Sequence, residues 1–137
     1  MIVIIESPYA GDIQRNLRYL RACLRDSLLK GECPIATHGL YTQDGVLNDT
    51  IPEEREIGMN AGSTLRKVAQ KTVVYFDLGI SDGMQFGIDN ATKIGQEIEY
   101  RSIKFDLEID DIQIPAEDLT DFNYESTSES GSGSDYD

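Results

Sequence analysis

Two short apolar runs, Met1-Ile-Val-Ile-Ile5 and Thr72-Val-Val-Tyr-Phe76, each lead into a glycine-bearing loop and then into residues at helical spacing. Runs of this length, rich in β-branched and aromatic residues, suit strands buried on both faces. Strand, loop and helix repeated in this way predict parallel βαβ units, and therefore an α/β fold. The expected architecture is an open parallel sheet flanked by helices, with Met1–Ile5 as a central strand.

The first helix is marked by Ile13, Leu17, Leu20, Leu24 and Leu28, with Asp12 as its N-cap and Gly31 as its stop. The middle helix opens at Thr50, Pro52 and Glu53 with a capping-box pattern. Ile57, Ala61, Leu65 and Val68 then carry it to about Gln70. A further helix follows the second apolar run, with Met84, Ile88, Ala91 and Ile94 in register.

Open α/β sheets bind ligands beyond the carboxyl ends of their strands. If the two apolar strands are neighbours, Ser7, Tyr9, Gly11 and Asp12 share one rim with Asp77, Ser81, Asp82 and Gly83. Gly79, Ser81 and Gly83 allow a tight turn that delivers backbone N–H groups at a helix N-terminus, a site suited to phosphate. The blander reading is that Ser81 or Asp82 simply caps the helix, and that Tyr9 covers its loop as a surface ring.

Four segments resemble the nucleoside 2-deoxyribosyltransferase-like superfamily, particularly its small bacterial and phage members. They are Ser7-Pro-Tyr-Ala-Gly-Asp12, Pro34-Ile-Ala-Thr-His38, Pro52-Glu-Glu-Arg-Glu-Ile-Gly58 and Ile80-Ser-Asp-Gly-Met84, and their order covers about residues 1 to 104. The resemblance implies a flavodoxin-like or Rossmann-like parallel sheet flanked by helices that binds a nucleoside or nucleotide, often as a dimer or larger oligomer, in which Ser7, Pro8, Tyr9, Gly11, Asp12, His38, Arg55, Asp77, Ser81, Asp82, Gly83 and Met84 serve the ligand. In the enzymes of the group, which cleave or exchange the N-glycosidic bond, a helix glutamate attacks the sugar. The matching residue here is Gly87, which offers neither nucleophile nor general base.

Gln85 and Asp89 flank that position but stand about 200° around the helix from it. Glu6, Asp12, Asp77 and Asp82 remain as rim carboxylates able to support a rearranged site. Gly87 itself reads in two ways, as room for a bulky ligand or as close helix–strand packing. Arg55, among three acids on a first helical turn, reads either as a ligand or subunit contact or as a solvated ion pair. His38, the only histidine, suits a hydrogen-bonded pocket or core role; no metal and no cofactor is expected. The polar loop from Thr42 to Thr50 would either close over a ligand or merely connect two elements.

Residues 105 to 137 hold eleven of the 25 acidic residues and none of the 12 basic ones, so that a nearly neutral domain precedes a strongly acidic end. Within residues 105–124, alternating Phe105, Leu107 and Ile109, then Ile112 and Ile114, predict an added strand or arm. Residues 125–137 are a low-complexity Ser/Gly-rich acidic tail expected to be disordered. Cys23 and Cys33 are too few for a disulfide framework and read as free thiols. No signal peptide or membrane span is visible, which predicts a cytoplasmic protein, in the host cytoplasm if phage-encoded. The acidity argues against nucleic-acid polymers as partners.

The resemblance, with Gly87 in place of the glutamate, implies a non-catalytic protein that sequesters a nucleotide-derived small molecule, such as a phage anti-defence sponge for a cyclic ADP-ribose-type or other nucleotide immune signal. The first alternative is a nucleotide N-glycosidase or nucleoside deoxyribosyltransferase with a displaced catalytic acid. The second is an inhibitor that works through its acidic tail on a basic protein surface.

Overall fold

Residues 1–106 are described by the structure, a computed structural model. Over Met1–Phe105 they form one unit, built in the order β1 (Ile2–Glu6), α1 (Ile13–Leu29), β2 (Cys33–Ile35), α2 (Thr37–Leu40), α3 (Pro52–Arg66), β3 (Lys71–Tyr75), α4 (Asp82–Lys93) and β4 (Glu97–Arg101). The four strands make one sheet in the order β2-β1-β3-β4, parallel at every pairing. The fold is therefore α/β, as the repeated strand–loop–helix pattern predicts. The expected arm over 105–124 and the tail over 125–137 lie, but for Phe105 and Asp106, outside the described residues.

Because strand side chains alternate between faces, the sheet sorts its own residues. Val3, Ile5, Val73 and Tyr75 point to the face covered by α1, where they pack with Tyr19, Leu20 and Cys23. Val74 points to the other face and packs with Met84 and Ile88 of α4. By the same alternation Glu6 lies on the α3/α4 face, two residues beyond Ile4, and is as buried as the apolar core around it.

Asp12 caps α1 by accepting from the Arg15 N–H at 3.1 Å, and Gly31 ends the helix at a φ of +82°. The buried stripe of α1 is rotated from the leucine pattern. Asn16, Tyr19, Leu20, Cys23 and Ser27 face inward, while Ile13 and Leu28 are exposed. Tyr19 and Asn16 can be buried because each finds hydrogen-bond partners, Asp77 for the first and the Tyr9 and Ala10 carbonyls for the second.

The middle helix departs from expectation at both ends. Pro52 does hold its first turn, but the N-cap is Ile51 and no side chain caps it. Thr50 donates instead to Asn48 Oδ1, and the Asn48 N–H is taken by Glu54, so that the Thr50–Glu53 box does not form. The helix stops at Arg66 rather than near Gln70. Its inward residues are Gly62 and Arg66, whereas Ile57 and Val68 are both 58% exposed. The reason is what α3 faces: a cavity and the buried Glu6 carboxylate, which select small and polar residues over aliphatic ones.

Two elements escape the sequence pattern altogether, the single turn α2 and the edge strand β4, whose Glu-Ile-Glu-Tyr-Arg alternates charge with bulk. β4 is fixed by ion pairs. Arg101 bonds Glu32 and Glu99 at 2.9–3.0 Å, and Lys71 bonds Glu99 at 2.6 Å. Cys23 is buried and Cys33 exposed, both as free thiols. Among the described residues no helix is long and apolar enough to cross a membrane.

Candidate functional site

The carboxyl ends of β1 and β3 are adjacent, with Glu6 paired in register with Val74. This is where the strand order departs in both directions from the centre of the sheet, and a crevice opens there. A cavity of about 460 Å³ occupies it, walled by the loop after β1, α2, the 41–49 loop, α3 and the first turns of α4. That volume falls within the usual range for small-molecule sites, roughly 300–1,000 Å³.

Glu6 lies at the cavity and is only 9% exposed. Its Oε2 accepts from Arg66 Nη2 at 2.6 Å, and Arg66 Nη1 donates to Thr72 Oγ1 at 2.5 Å. Burial dominates the carboxyl: against the pull of Arg66, it pushes the pKa up to about 7. The group is therefore poised between its two protonation states near neutral pH.

Opposite Glu6 stands Gly87. A Cβ at that position would lie 2.1 Å from Glu6 Oε2 and 2.4 Å from its Cδ, so that the residue 87 side-chain space is already filled. Of the two sequence readings of Gly87, this favours close helix–strand packing. The glycine opens no room for a ligand, and what approaches the helix is a carboxylate from β1.

Beside this pair, Ser7 Oγ and His38 Nε2 are 2.7 Å apart, and both residues line the cavity. Burial drives His38 down to about 4, so the ring is neutral at physiological pH and shares a single proton with the serine hydroxyl as donor or acceptor. A neutral Ser–His pair beside a buried carboxylate offers hydrogen bonds in both directions to an uncharged polar ligand.

The mouth is formed by the start of α4. Ser81 is the N-cap, with its Oγ accepting from the Met84 N–H at 3.3 Å. Gly79 makes the preceding turn at a φ of +89°, which an L side chain would strain. The first-turn N–H groups of Asp82 and Gly83, which a helix does not itself satisfy, lie at the cavity wall. Arg55 reaches toward them from α3, its Nη2 3.7 Å from where a Gly83 Cβ would stand, while its Nη1 is held by Asp49 at 3.0 Å.

Of the residues expected to serve a ligand, Ser7, Tyr9, His38, Arg55, Ser81, Asp82, Gly83, Met84 and Gly87 all border this one cavity. Pro8 is buried beneath it and is not part of its lining. Gly11 borders an adjoining open hollow, and Asp12 is spent on capping α1. Asp77 belongs to a different structure. It accepts from the Tyr19 hydroxyl at 2.6 Å, from Ser102, and from the Ile103 N–H at 3.1 Å, which ties the chain after β4 to the α1 face. Burial works against its ionisation, yet the Ser102, Tyr19 and backbone hydrogen bonds together hold the carboxyl below its usual range.

The spacing of apolar residues overlooks Arg66, Gly58, Gly62, Ser63 and Asn90, which also line the cavity. Gly58, Gly62 and Arg66 recur every four residues on α3, a small-and-polar stripe that marks the helix face turned to the site. Asn90 donates to Ser63 Oγ at 3.1 Å and joins α4 to α3 across the cavity wall. Among the described residues no three His, Cys, Asp or Glu side chains cluster as metal ligands do.

The chain belongs to the family described as a domain of unknown function, DUF7768, whose family model matches residues 1–101. It matches no curated protein and no solved structure.

Proposed function

We propose that this protein binds a nucleotide-derived small molecule in the cavity at the ends of β1 and β3 and holds it intact. The observation that carries the reading is the cavity itself: about 460 Å³ at the sheet's switch point, with a few polar groups converging from both loops and from α2, α3 and α4. Its lining draws residues from each of the four segments that resemble the nucleoside 2-deoxyribosyltransferase-like superfamily, among them Ser7, Tyr9, His38, Arg55 and Ser81. Gly87 provides no attacking side chain, which favours sequestration over turnover. In a phage setting such a protein acts as a sponge for a nucleotide immune signal, in the host cytoplasm and as a homo-oligomer.

A second reading, N-glycosidic cleavage with a displaced acid, is favoured by one observation: a carboxylate, Glu6, does stand at residue 87, carried by a strand instead of the helix. One experiment separates the two. Purified protein is incubated with a panel of nucleosides, nucleotides and ADP-ribose derivatives, and the free pool is compared with the pool released by heat. Intact ligand recovered only after denaturation is the expected result. Free base accumulating with turnover replaces sequestration by catalysis, and absence of any bound or consumed compound removes both.

A further inference from the structure

Glu6 is an unusual group to find at a cavity. A strand glutamate only 9% exposed normally has its carboxylate engaged on all sides, because an ionised carboxylate without partners is costly to bury. Here Oε2 has Arg66, but among the described residues Oε1 has no hydrogen-bond partner, and the residue borders the cavity. The carboxylate is also given room at the expense of a neighbour. Residue 87 is glycine inside a helix, and any larger side chain would overlap Glu6. The structure thus maintains a half-satisfied carboxylate at the wall of an open site.

The other charges of the lining narrow what could meet it. The charged or titratable groups that line the cavity with Glu6 are Arg66, Arg55 and Glu54 on α3, His38 on α2, Asp82 on α4, Asp49 in the loop before α3, and the phenols Tyr9 and Tyr41. Both cations are already matched, Arg66 by Glu6 at 2.6 Å and Arg55 by Asp49 at 3.0 Å. Glu54 and Asp82 then leave the lining with an excess of negative charge. A phosphate placed against Glu6 would meet a carboxylate and an Arg66 guanidinium already engaged by it; a hydroxyl or N–H donor would meet a ready acceptor.

We infer that Glu6 is the ligand-contacting carboxylate of this cavity: reaching from β1 into the space that Gly87 leaves open on α4, it accepts a hydrogen bond from a sugar hydroxyl or base N–H, so that the uncharged part of the ligand lies innermost. The inference rests on the proposed function and adds to it the orientation of the ligand. A nucleoside portion is held by Glu6 and the Ser7–His38 pair, and any phosphate stays toward Arg55 and the start of α4. Glu6 is also the residue whose protonation the ligand would sense, since its carboxyl is balanced near neutral pH.

The test uses the full chain and its Glu6→Gln variant, which keeps the size of the side chain and an oxygen for Arg66. Binding of adenosine, AMP and ADP-ribose is measured by calorimetry between pH 5.5 and 8.5, and small molecules that co-purify are identified after heat release. The expected result is that the variant binds the same compounds about tenfold or more weakly, as loss of a charged acceptor implies. Its affinity also loses the rise with pH shown by the wild type, whereas Asp89→Asn, on α4 outside the cavity lining, keeps that rise. Equal affinity and equal pH dependence in wild type and Glu6→Gln overturn the inference and leave the proposed function standing. A wild type that binds none of the three and releases nothing on heating overturns the proposed function itself, and the inference with it.

Discussion

Substituting Gly87 by alanine tests whether Glu6 occupies the space of residue 87. Glycine within a helix is disfavoured by about 1 kcal/mol against alanine, so in open space the change would stabilise the protein by that amount. Here the new Cβ would stand 2.1 Å from Glu6 Oε2 and 2.4 Å from Cδ, where ordinary contacts between carbons begin near ~3.5 Å. The carboxylate must retreat by more than an ångström, and its 2.6 Å bond to Arg66 does not survive that. Loss of a charge-assisted hydrogen bond amounts to roughly 1.5–3 kcal/mol, which exceeds the helical gain and leaves Gly87→Ala destabilising by about 0.5–2 kcal/mol. In a Glu6→Ala/Arg66→Met background, which removes both ends of the ion pair and leaves no buried charge alone, the same substitution stabilises by about 1 kcal/mol. Urea denaturation of the four proteins closes the cycle, with an expected coupling of about 1.5–3 kcal/mol. If Gly87→Ala shifts stability equally in both backgrounds, within about 0.5 kcal/mol, the two positions do not share their space and the account of the site fails.

The pH dependence of stability has opposing components. Glu6 ionises in the unfolded chain near its ordinary 4.5 but in the folded protein only at about 7, so its contribution falls by about 3 kcal/mol as pH rises through that window. His38 runs the other way: with its folded pKa lowered to about 4, it withdraws stability as pH falls below 6.5. Denaturation from pH 4.5 to 7.5 should show Glu6→Gln losing the first slope and His38→Gln the second; unchanged slopes in both variants contradict these assignments. Asp77→Ala removes the acceptor for Tyr19, Ser102 and Ile103 and should cost about 2–4 kcal/mol while exposing the Ile103 amide to hydrogen exchange. Because the folded Asp77 carboxyl sits below its usual range, that stability is present above pH ~4 and disappears as pH falls further; a neutral effect at pH 7 refutes its anchoring role. Ile57, exposed on the outer face of α3, is the residue to test for self-association: Ile57→Asp should convert an oligomer to a monomer by light scattering with little loss of stability, and a wild type already monomeric at high concentration rules that face out.

What could be read in advance follows from which interactions are local. The two inner strands, the cap at Asp12, the stop at Gly31 and the Ser81 cap are all specified by residues adjacent in sequence, and each is found in the structure. β4 was not legible because its stability comes from partners far away, Glu32 and Lys71, which bond a strand too charged to show an apolar pattern. The inward face of α3 was misjudged for a related reason. Periodicity finds the side of a helix that is apolar, and on α3 the apolar side, carrying Ile57, looks outward while the glycines and Arg66 look in.

The position of the key carboxylate illustrates the same limit at one residue. A helix glycine at 87 invites the conclusion that the site has lost its acid, because sequence reasoning compares a residue only with what is expected at its own position. Yet alternation along β1 already places Glu6 on the same face as Ile4, at the carboxyl end of a central strand, where open sheets build their sites. An acid there must be buried, a buried acid needs a cation, and the cation comes from Arg66, sixty residues away on α3. The glycine and the glutamate each depart from what a helix interior and a buried strand ordinarily accept; together they fill one space. Two neighbouring departures that compensate in volume belong to one arrangement, and this is why Glu6, rather than the glycine at residue 87 alone, is where the function of the cavity should be sought.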